Sequence, residues 1–229
     1  MTIQNKNLFD IDDFFFSYKL IFWDFDGVIK DSVSVKGLAY KKTFEEFGEI
    51  KTSQIMEHHI NNGGISRYEK IPLYLKWCNV DTNQKIISFY LERFSKYSIE
   101  AVINSKWIPG VKDILINFSK KKRNVLVTAT PKKDILLILD KIQITDYFAN
   151  IYGAEISKID SIENELKLNK IKKEQSLFIG DSEVDLKAAI NNQINFLLKL
   201  TKDNFALSKQ YKVPFILDFS PNREIEINY

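Results

Sequence analysis

A short apolar run, L-I-F-W at residues 20–23, is followed at once by D-F-D-G, and no other stretch constrains this chain as much. Bulky residues of this kind read as a buried strand, which must stop where two carboxylates and a glycine follow. If the strand held as far as the second carboxylate, Asp24 and Asp26 would share a face while Phe25 pointed into packing. Gly27 lets the chain turn away. Two carboxylates this close raise the cost of ionising both unless a cation or a shared proton sits between them. Two readings are open: a polar strand end that caps a turn, or part of a site for a hard divalent metal. A calcium loop of the EF-hand type is set aside, because the next alternating position holds Val28.

At 229 residues, with 45% hydrophobic content, the chain can bury the core of one large domain, or of one domain carrying a smaller insert. Its 33 basic and 30 acidic residues nearly balance at +3, so nothing asks for nucleic acid. The lone cysteine, Cys78, excludes an intrachain disulfide and reads as a packing residue. Near the start, Asp10, Asp12 and Asp13 precede Phe14, Phe15 and Phe16, which is neither a signal peptide nor a membrane span. The expected location is cytoplasmic, with no membrane partner. Residues 1–18 show no clear period and are expected to lie across the surface, with the three phenylalanines against it.

Beyond the first strand, residues 33–48 read as a helix with Tyr40, Phe44 and Phe47 on one face and Gly48 as its stop. Helical, polar-rich sequence continues to about residue 105, broken by the loop N-N-G-G-I-S-R at 61–67, with a new helix from Ser66. W-I-P-G at 107–110 interrupts the helices, and residues 111–121 resume one with Ile114, Leu115 and Phe118 inward. Strand and helix then alternate: strands at 124–130, 150–154, 176–180 and 194–200, and helices at 132–144, 161–168 and 183–191. That order predicts a parallel sheet covered on both sides by helices. Residues 215–219 are a weaker edge strand, flanked by Pro214 and Pro221.

Ligands of open parallel sheets bind beyond the carboxyl ends of the strands, so the residues just after each strand matter most. Here they are Asp24 and Asp26, then Thr128, then Lys158, and finally Asp181 with Asp185 four residues on. Asp181 alone would be read as a helix cap. Four carboxylates converging on one crevice, however, have little structural use, and Mg²⁺ explains them, since it takes a few carboxylate oxygens together with phosphate and water. Thr128 can donate a hydrogen bond to a phosphoryl oxygen, and Lys158 can offset charge on phosphate and carboxylate alike. Taken singly, Lys158 is one solvated lysine among many, and Thr128 suits a strand by its shape.

The segments D-F-D-G-V-I-K-D-S, V-L-V-T-A-T, S-K-I-D-S-I and F-I-G-D-S-E-V-D together resemble the four motifs of the haloacid dehalogenase superfamily, in order, over residues 20–200. The helical stretch between the first two is similar to the cap of its phosphoglycolate phosphatase and beta-phosphoglucomutase branch. The resemblance implies an α/β fold: a Rossmann-like parallel-sheet core at 1–33 and 105–229, with an inserted α-helical cap at 34–104. It implies that Asp24 attacks phosphorus to form an aspartyl phosphate, and that Asp26 is the acid and base and lends its backbone carbonyl to the metal. Asp24 and Asp181 would hold Mg²⁺ with Asp185 behind them, while Thr128, Ala129 and Lys158 hold the phosphate.

The presence of Asp26 argues for phosphate esters, because dehalogenases and phosphonate-cleaving relatives lack it. Lys36 stands where the mutase pattern has a histidine, and Gly180 where it has an acid, which makes mutase activity the alternative rather than the first reading. A non-catalytic binding protein of the same fold is the other alternative. G-I-S-R at 64–67 resembles the substrate loop of this branch, so Arg67 either meets an anionic group of the substrate or merely caps and solvates its helix. His58 and His59 are expected at the surface, and Tyr74 and Trp77 in the cap core. The expected partner is a small phosphorylated metabolite, acted on by a monomer or homodimer.

Overall fold

The computed structural model describes residues 7–221 and 224–227. An eight-stranded sheet is formed by β1 (Asn7–Asp10), β2 (Leu20–Trp23), β5 (Arg123–Val127), β6 (Asn150–Tyr152), β7 (Ser176–Gly180), β8 (Asn195–Lys199), β9 (Phe215–Ile216) and β10 (Glu224–Ile227), in the order β1-β10-β9-β8-β7-β2-β5-β6. Pairings from β9 to β6 are parallel, while β10 is antiparallel to both β9 and β1. A separate two-stranded ribbon pairs β3 (Lys30–Asp31) with β4 (Lys106–Trp107) antiparallel. It ties the chain leaving the sheet to the chain returning to it.

Alternation along β2 explains why the run at 20–23 is apolar throughout. Ile21 and Trp23 enter one core with Phe15, Leu115, Phe118 and Ile135, whereas Leu20 and Phe22 enter a second core with Ile162, Phe178 and Leu186. Both faces are therefore covered, as a central parallel strand requires. The first core is covered by α1 (Ile11–Phe16), α6 (Val111–Ser119) and α7 (Lys132–Lys141), and the second by α8 (Lys158–Asn169), α9 (Glu183–Asn192) and α10 (Phe205–Tyr211). Between β3 and β4 the chain forms α2 (Val33–Thr43), α3 (Gly48–Asn61), α4 (Arg67–Trp77) and α5 (Gln84–Asn104). These four helices enclose a third apolar cluster that includes Tyr40, Phe44, Ile71, Tyr74 and Phe94, with Trp77 and Cys78 against it.

Several sequence expectations need correction. Residues 7–16 add a strand and a helix, and within α1 Phe15 is fully buried, stacked near Trp23 and Phe118, while Phe16 is 58% exposed. Residues 1–6 lie outside the described residues. The helix from residue 33 ends at Thr43, and Gly48 opens α3 instead of stopping α2, because a 3₁₀ turn at Glu45–Phe47 carries the reversal. The expected edge strand shrinks to Phe215–Ile216 and is internal, since β10 and β1 extend the sheet beyond it.

Candidate active site

Register places the polar strand ends side by side. β2 and β7 are parallel neighbours with Trp23 opposite Ile179, so Asp24 and Asp181 each emerge at the same carboxyl edge. Asp24 stays anchored there through its N–H, which donates to the Ile179 carbonyl at 2.9 Å. On the other flank β5 pairs with β2, and Thr128 follows its last residue. One carboxylate oxygen from each of Asp24, Asp181 and Asp185 lies within 4.8 Å of the others.

Gly27 completes the acidic corner. Its φ is +78°, and a Cβ there would lie 1.9 Å from Asp181 Oδ2, so only glycine lets the carboxylate rest over this turn. The cap of α9 is Ser182 rather than Asp181: Ser182 Oγ accepts from the Asp185 N–H at 3.3 Å, and Asp185 Oδ2 accepts from the Ser182 N–H at 3.1 Å. This reciprocal capping box leaves Asp181 free of helix duty.

Lys158 is the counter-charge. It opens α8 behind the Ser157 cap, buried, with its ammonium 3.0 Å from Asp24 Oδ1 and 2.5 Å from Asp185 Oδ1. Burial works against its charge, but the two carboxylates hold its pKa above the usual lysine value. For Asp24 burial wins. Lys158 offsets it only in part, Asp185 and Asp26 add repulsion, and the carboxyl is pushed up to about 7. Burial, then Asp24 and Asp185, also push Asp181 well above the normal carboxylate range. A cation bound among these carboxylates would relieve that repulsion. Since both oxygens of Asp185 are taken by Lys158 and Ser182, the donors left for a metal are those of Asp24 and Asp181. An all-oxygen set of this kind fits Mg²⁺.

Asp26 faces a different way. β2 ends at Trp23, so the alternation does not carry through, and the Asp26 carboxylate turns towards α2. Its Oδ1 accepts from Ser32 Oγ at 2.5 Å, and its Oδ2 accepts from Lys36 Nζ at 2.5 Å, with Thr130 Oγ1 at 3.4 Å. Burial raises the Asp26 carboxyl, but Lys36 and Ser32 more than offset it and hold it below its usual value. Lys36 in turn hydrogen bonds to Thr130 Oγ1 at 2.7 Å. Thr128 is buried and accepts from the Thr130 N–H at 3.2 Å, while Ala129 and Thr130 line the cavity.

All four inserted helices contribute to that cavity. Lys36 and Tyr40 of α2, His59 of α3, Arg67 and Lys70 of α4 and Phe94 of α5 face Asp24, Asp26 and Asp181 across a space of about 50 Å³. The wall opposite the carboxylates is thus cationic. Arg67 lines it, with its guanidinium over the Phe94 ring and Nη1 2.5 Å from both Asp134 of α7 and Ser95 of α5. It joins the inserted helices to the sheet domain's own α7. Gly63 and Gly64 close the side of the cavity by resting on Ser182 and Val184; at φ +77° a Cβ on Gly64 would meet Ser182 Oγ at 2.5 Å.

Sequence reasoning missed Thr130, Lys70 and Asp134, and it put His59 at the surface, where only His58 is half open. The spacing of three from Arg67 to Lys70, on a helix that begins after Ser66, was the available sign that both share a face. No local sign marks Asp134, because its partner is 67 residues away.

The model for "Haloacid dehalogenase-like hydrolase" matches residues 21–199. A phosphoglycolate phosphatase from Pseudomonas putida is 24% identical over 181 residues, covering 75% of this chain and 65% of that protein's length. Among solved structures, a predicted phosphoglycolate phosphatase from Haemophilus somnus is similar with a TM-score of 0.72 at 20% identity, over 89% of this chain and 96% of that one. A beta-phosphoglucomutase from Clostridium difficile gives a TM-score of 0.70 at 18% identity, over 88% and 92%. These likenesses show the fold, and the family match takes in β2, every inserted helix and the strand ends that carry the carboxylates, so the chain belongs to the haloacid dehalogenase-like hydrolases.

Proposed function

We propose that the site hydrolyses a small phosphorylated metabolite through an aspartyl-phosphate intermediate. The observation that carries this reading is the pairing of Asp24, fixed on one side by Lys158 at 3.0 Å, with Asp181 on the neighbouring strand end. Asp24 attacks phosphorus through the oxygen that Lys158 does not engage, and the ester oxygen leaves as the phosphoryl group passes to the carboxylate. Lys158 stays beside both partners and offsets their charge. Asp26 passes to the leaving oxygen a proton drawn from the Lys36 ammonium that it accepts from at 2.5 Å, and then takes one from the attacking water, while Ser32 and Thr130 fix its orientation. Mg²⁺, held by Asp24, Asp181 and the Asp26 backbone carbonyl, would supply neutralising charge at the phosphoryl oxygens.

Residues 34–104 act as a cap that shuts the reaction from bulk water and shapes the leaving-group side. Lys36 in place of the histidine of the mutase pattern, and Gly180 in place of its acid, support a phosphatase over a hexose phosphate mutase. Asp24→Asn, assayed with p-nitrophenyl phosphate and Mg²⁺, tests the reading: turnover should vanish, and retained turnover refutes the nucleophile. Product analysis with a hexose 1-phosphate and its bisphosphate separates the mutase alternative, for which a 6-phosphate product would speak.

A further inference from the structure

Asp181 has a charged neighbour that the proposed reaction leaves unused. β7 and β8 are parallel with Gly180 opposite Leu198, so the residues that follow, Asp181 and Lys199, reach the carboxyl edge side by side. Lys199 flanks Asp181 on the outside as Asp24 does on the inside. Asn204 ties the two together: its Nδ2 donates to the Asp181 carbonyl at 2.8 Å and to the Lys199 carbonyl at 2.9 Å, and its Oδ1 accepts from the Thr201 N–H at 2.7 Å. The backbone on that side of the aspartate is therefore fixed.

Lys199 is 5% exposed, yet little holds its ammonium. Nζ donates to the Leu200 carbonyl at 3.1 Å, and among the described residues no carboxylate meets it in an ion pair. It lines a second and wider cavity, of about 770 Å³, between the loop at 60–63 and α10. Val33, Gly63, Ile65 and Asp181 line both cavities, so Asp181 stands where the two meet. Lys36, Arg67 and Lys70 belong to the smaller space alone, which leaves Lys199 as the buried cation on the outer side of the acidic corner.

Other charges act on this lysine. Burial lowers its pKa, while Asp181, then Asp31 and Asp218, draw it back in part. Asp31 is exposed, where water screens it, and the Asp218 carboxylate already accepts from the Ser220 N–H at 2.9 Å. Asp181 is the leading partner. Within the corner, Asp24, Asp181 and Asp185 outnumber Lys158 by two charges, and Asp26 is matched by Lys36. A divalent ion cancels that excess, so Lys199 adds one positive charge beyond balance.

We propose that Lys199 is a positioning residue that acts through Asp181: it competes with the divalent ion for that carboxylate and leaves a surplus positive charge for the phosphoryl group. The assignment rests on the phosphatase reading above and deepens it. A contact ion pair would commit the ammonium to one carboxylate, whereas at longer range, in surroundings of low polarity, its field reaches every charge in the corner. It opposes the metal and favours the phosphate, which carries nearly two negative charges at neutral pH. Removing the charge should therefore move the two affinities in opposite directions. Damage to the fold would weaken both.

The test is calorimetric titration at pH 7.5, first with Mg²⁺ alone and then with inorganic phosphate at saturating Mg²⁺. Lys199→Met, similar in length but neutral, should lower the Kd for Mg²⁺ and raise that for phosphate, each by about threefold or more. Lys199→Arg should keep both close to wild type, since guanidinium retains the charge. At saturating Mg²⁺ the KM for p-nitrophenyl phosphate should rise with the phosphate Kd. Lys199→Gln serves the same comparison if the methionine variant does not fold. Any pattern other than opposite shifts in the neutral variant overturns the proposal, as does a wild type that binds neither ligand. Neither titration needs turnover. If every ester is inert, the phosphatase reading falls, and the opposite shifts still decide the role of Lys199.

Discussion

Asp24→Asn should abolish turnover and, without divalent cations, make the protein more stable. The wild-type carboxyl is buried, and its pKa rises from 3.8 to about 7 because burial and the carboxylates of Asp185 and Asp26 outweigh Lys158. At about 1.4 kcal/mol per tenfold change in proton affinity, folding this group at neutral pH costs about 4 kcal/mol. The amide removes the ionisation but keeps an oxygen where Asp24 Oδ1 faces Lys158 at 3.0 Å. The net gain should be about 2–4 kcal/mol, allowing for a weaker hydrogen bond to the amide.

The sign follows from proton counts. Between 3.8 and about 7 the native state holds a proton that the unfolded chain has released, so wild-type stability falls as pH rises across that window. The variant lacks this dependence. The gap between the two should be small near pH 4 and full above 7. Urea unfolding in EDTA at pH 4.5, 6 and 7.5 reads it as a rise in midpoint of about 1 M, for a slope of about 3 kcal/mol/M. Saturating Mg²⁺ should narrow the gap by stabilising the wild type. A variant no more stable than wild type at pH 7.5, or a gap that ignores pH, would refute the reasoning.

Gly64→Ala should unseat the loop at 62–66, because its Cβ would meet Ser182 Oγ at 2.5 Å and Val184 Cβ at 2.8 Å. KM should rise about tenfold with global stability changed by no more than about 2 kcal/mol; steady-state kinetics showing an unchanged KM would count against closure there. Arg67→Met should cost about 3–5 kcal/mol in urea melts by stranding the buried Asp134, and the added change Asp134→Leu should recover most of it, whereas additive losses would argue against a coupled pair. Phe15→Ala should cost about 3–5 kcal/mol and Phe16→Ala under about 0.5, since the first ring is buried and the second is 58% exposed. Equal effects would mean that α1 does not belong to the core.

Much of the sheet was legible because its strands carry their own signals. The strand at Ser176–Gly180 and the starts of α7 and α9 fall where apolar runs and polar stops place them. Where a boundary rests on long-range pairing, local pattern fails. β10 pairs with β1 across more than two hundred residues, and nothing in Asn7–Asp10 announces that partner. Likewise, His59 could not be placed from its sequence position, since the Lys70 and Val33 groups that hold it lie on other elements.

The chain alone determined which chemistry was available: carboxylates and a threonine directly after apolar strands, a lysine opening the helix after another, and glycine where the backbone must turn. Those are local facts, written in side-chain type and the two-residue period of a strand. Tertiary structure decided which charge answers which. It gave Asp24 to Lys158, Asp26 to Lys36 and Arg67 to Asp134, and it left Lys70 with neutral partners. Burial and electrostatic pairing depend on distance in space, and sequence separation carries almost none of that information.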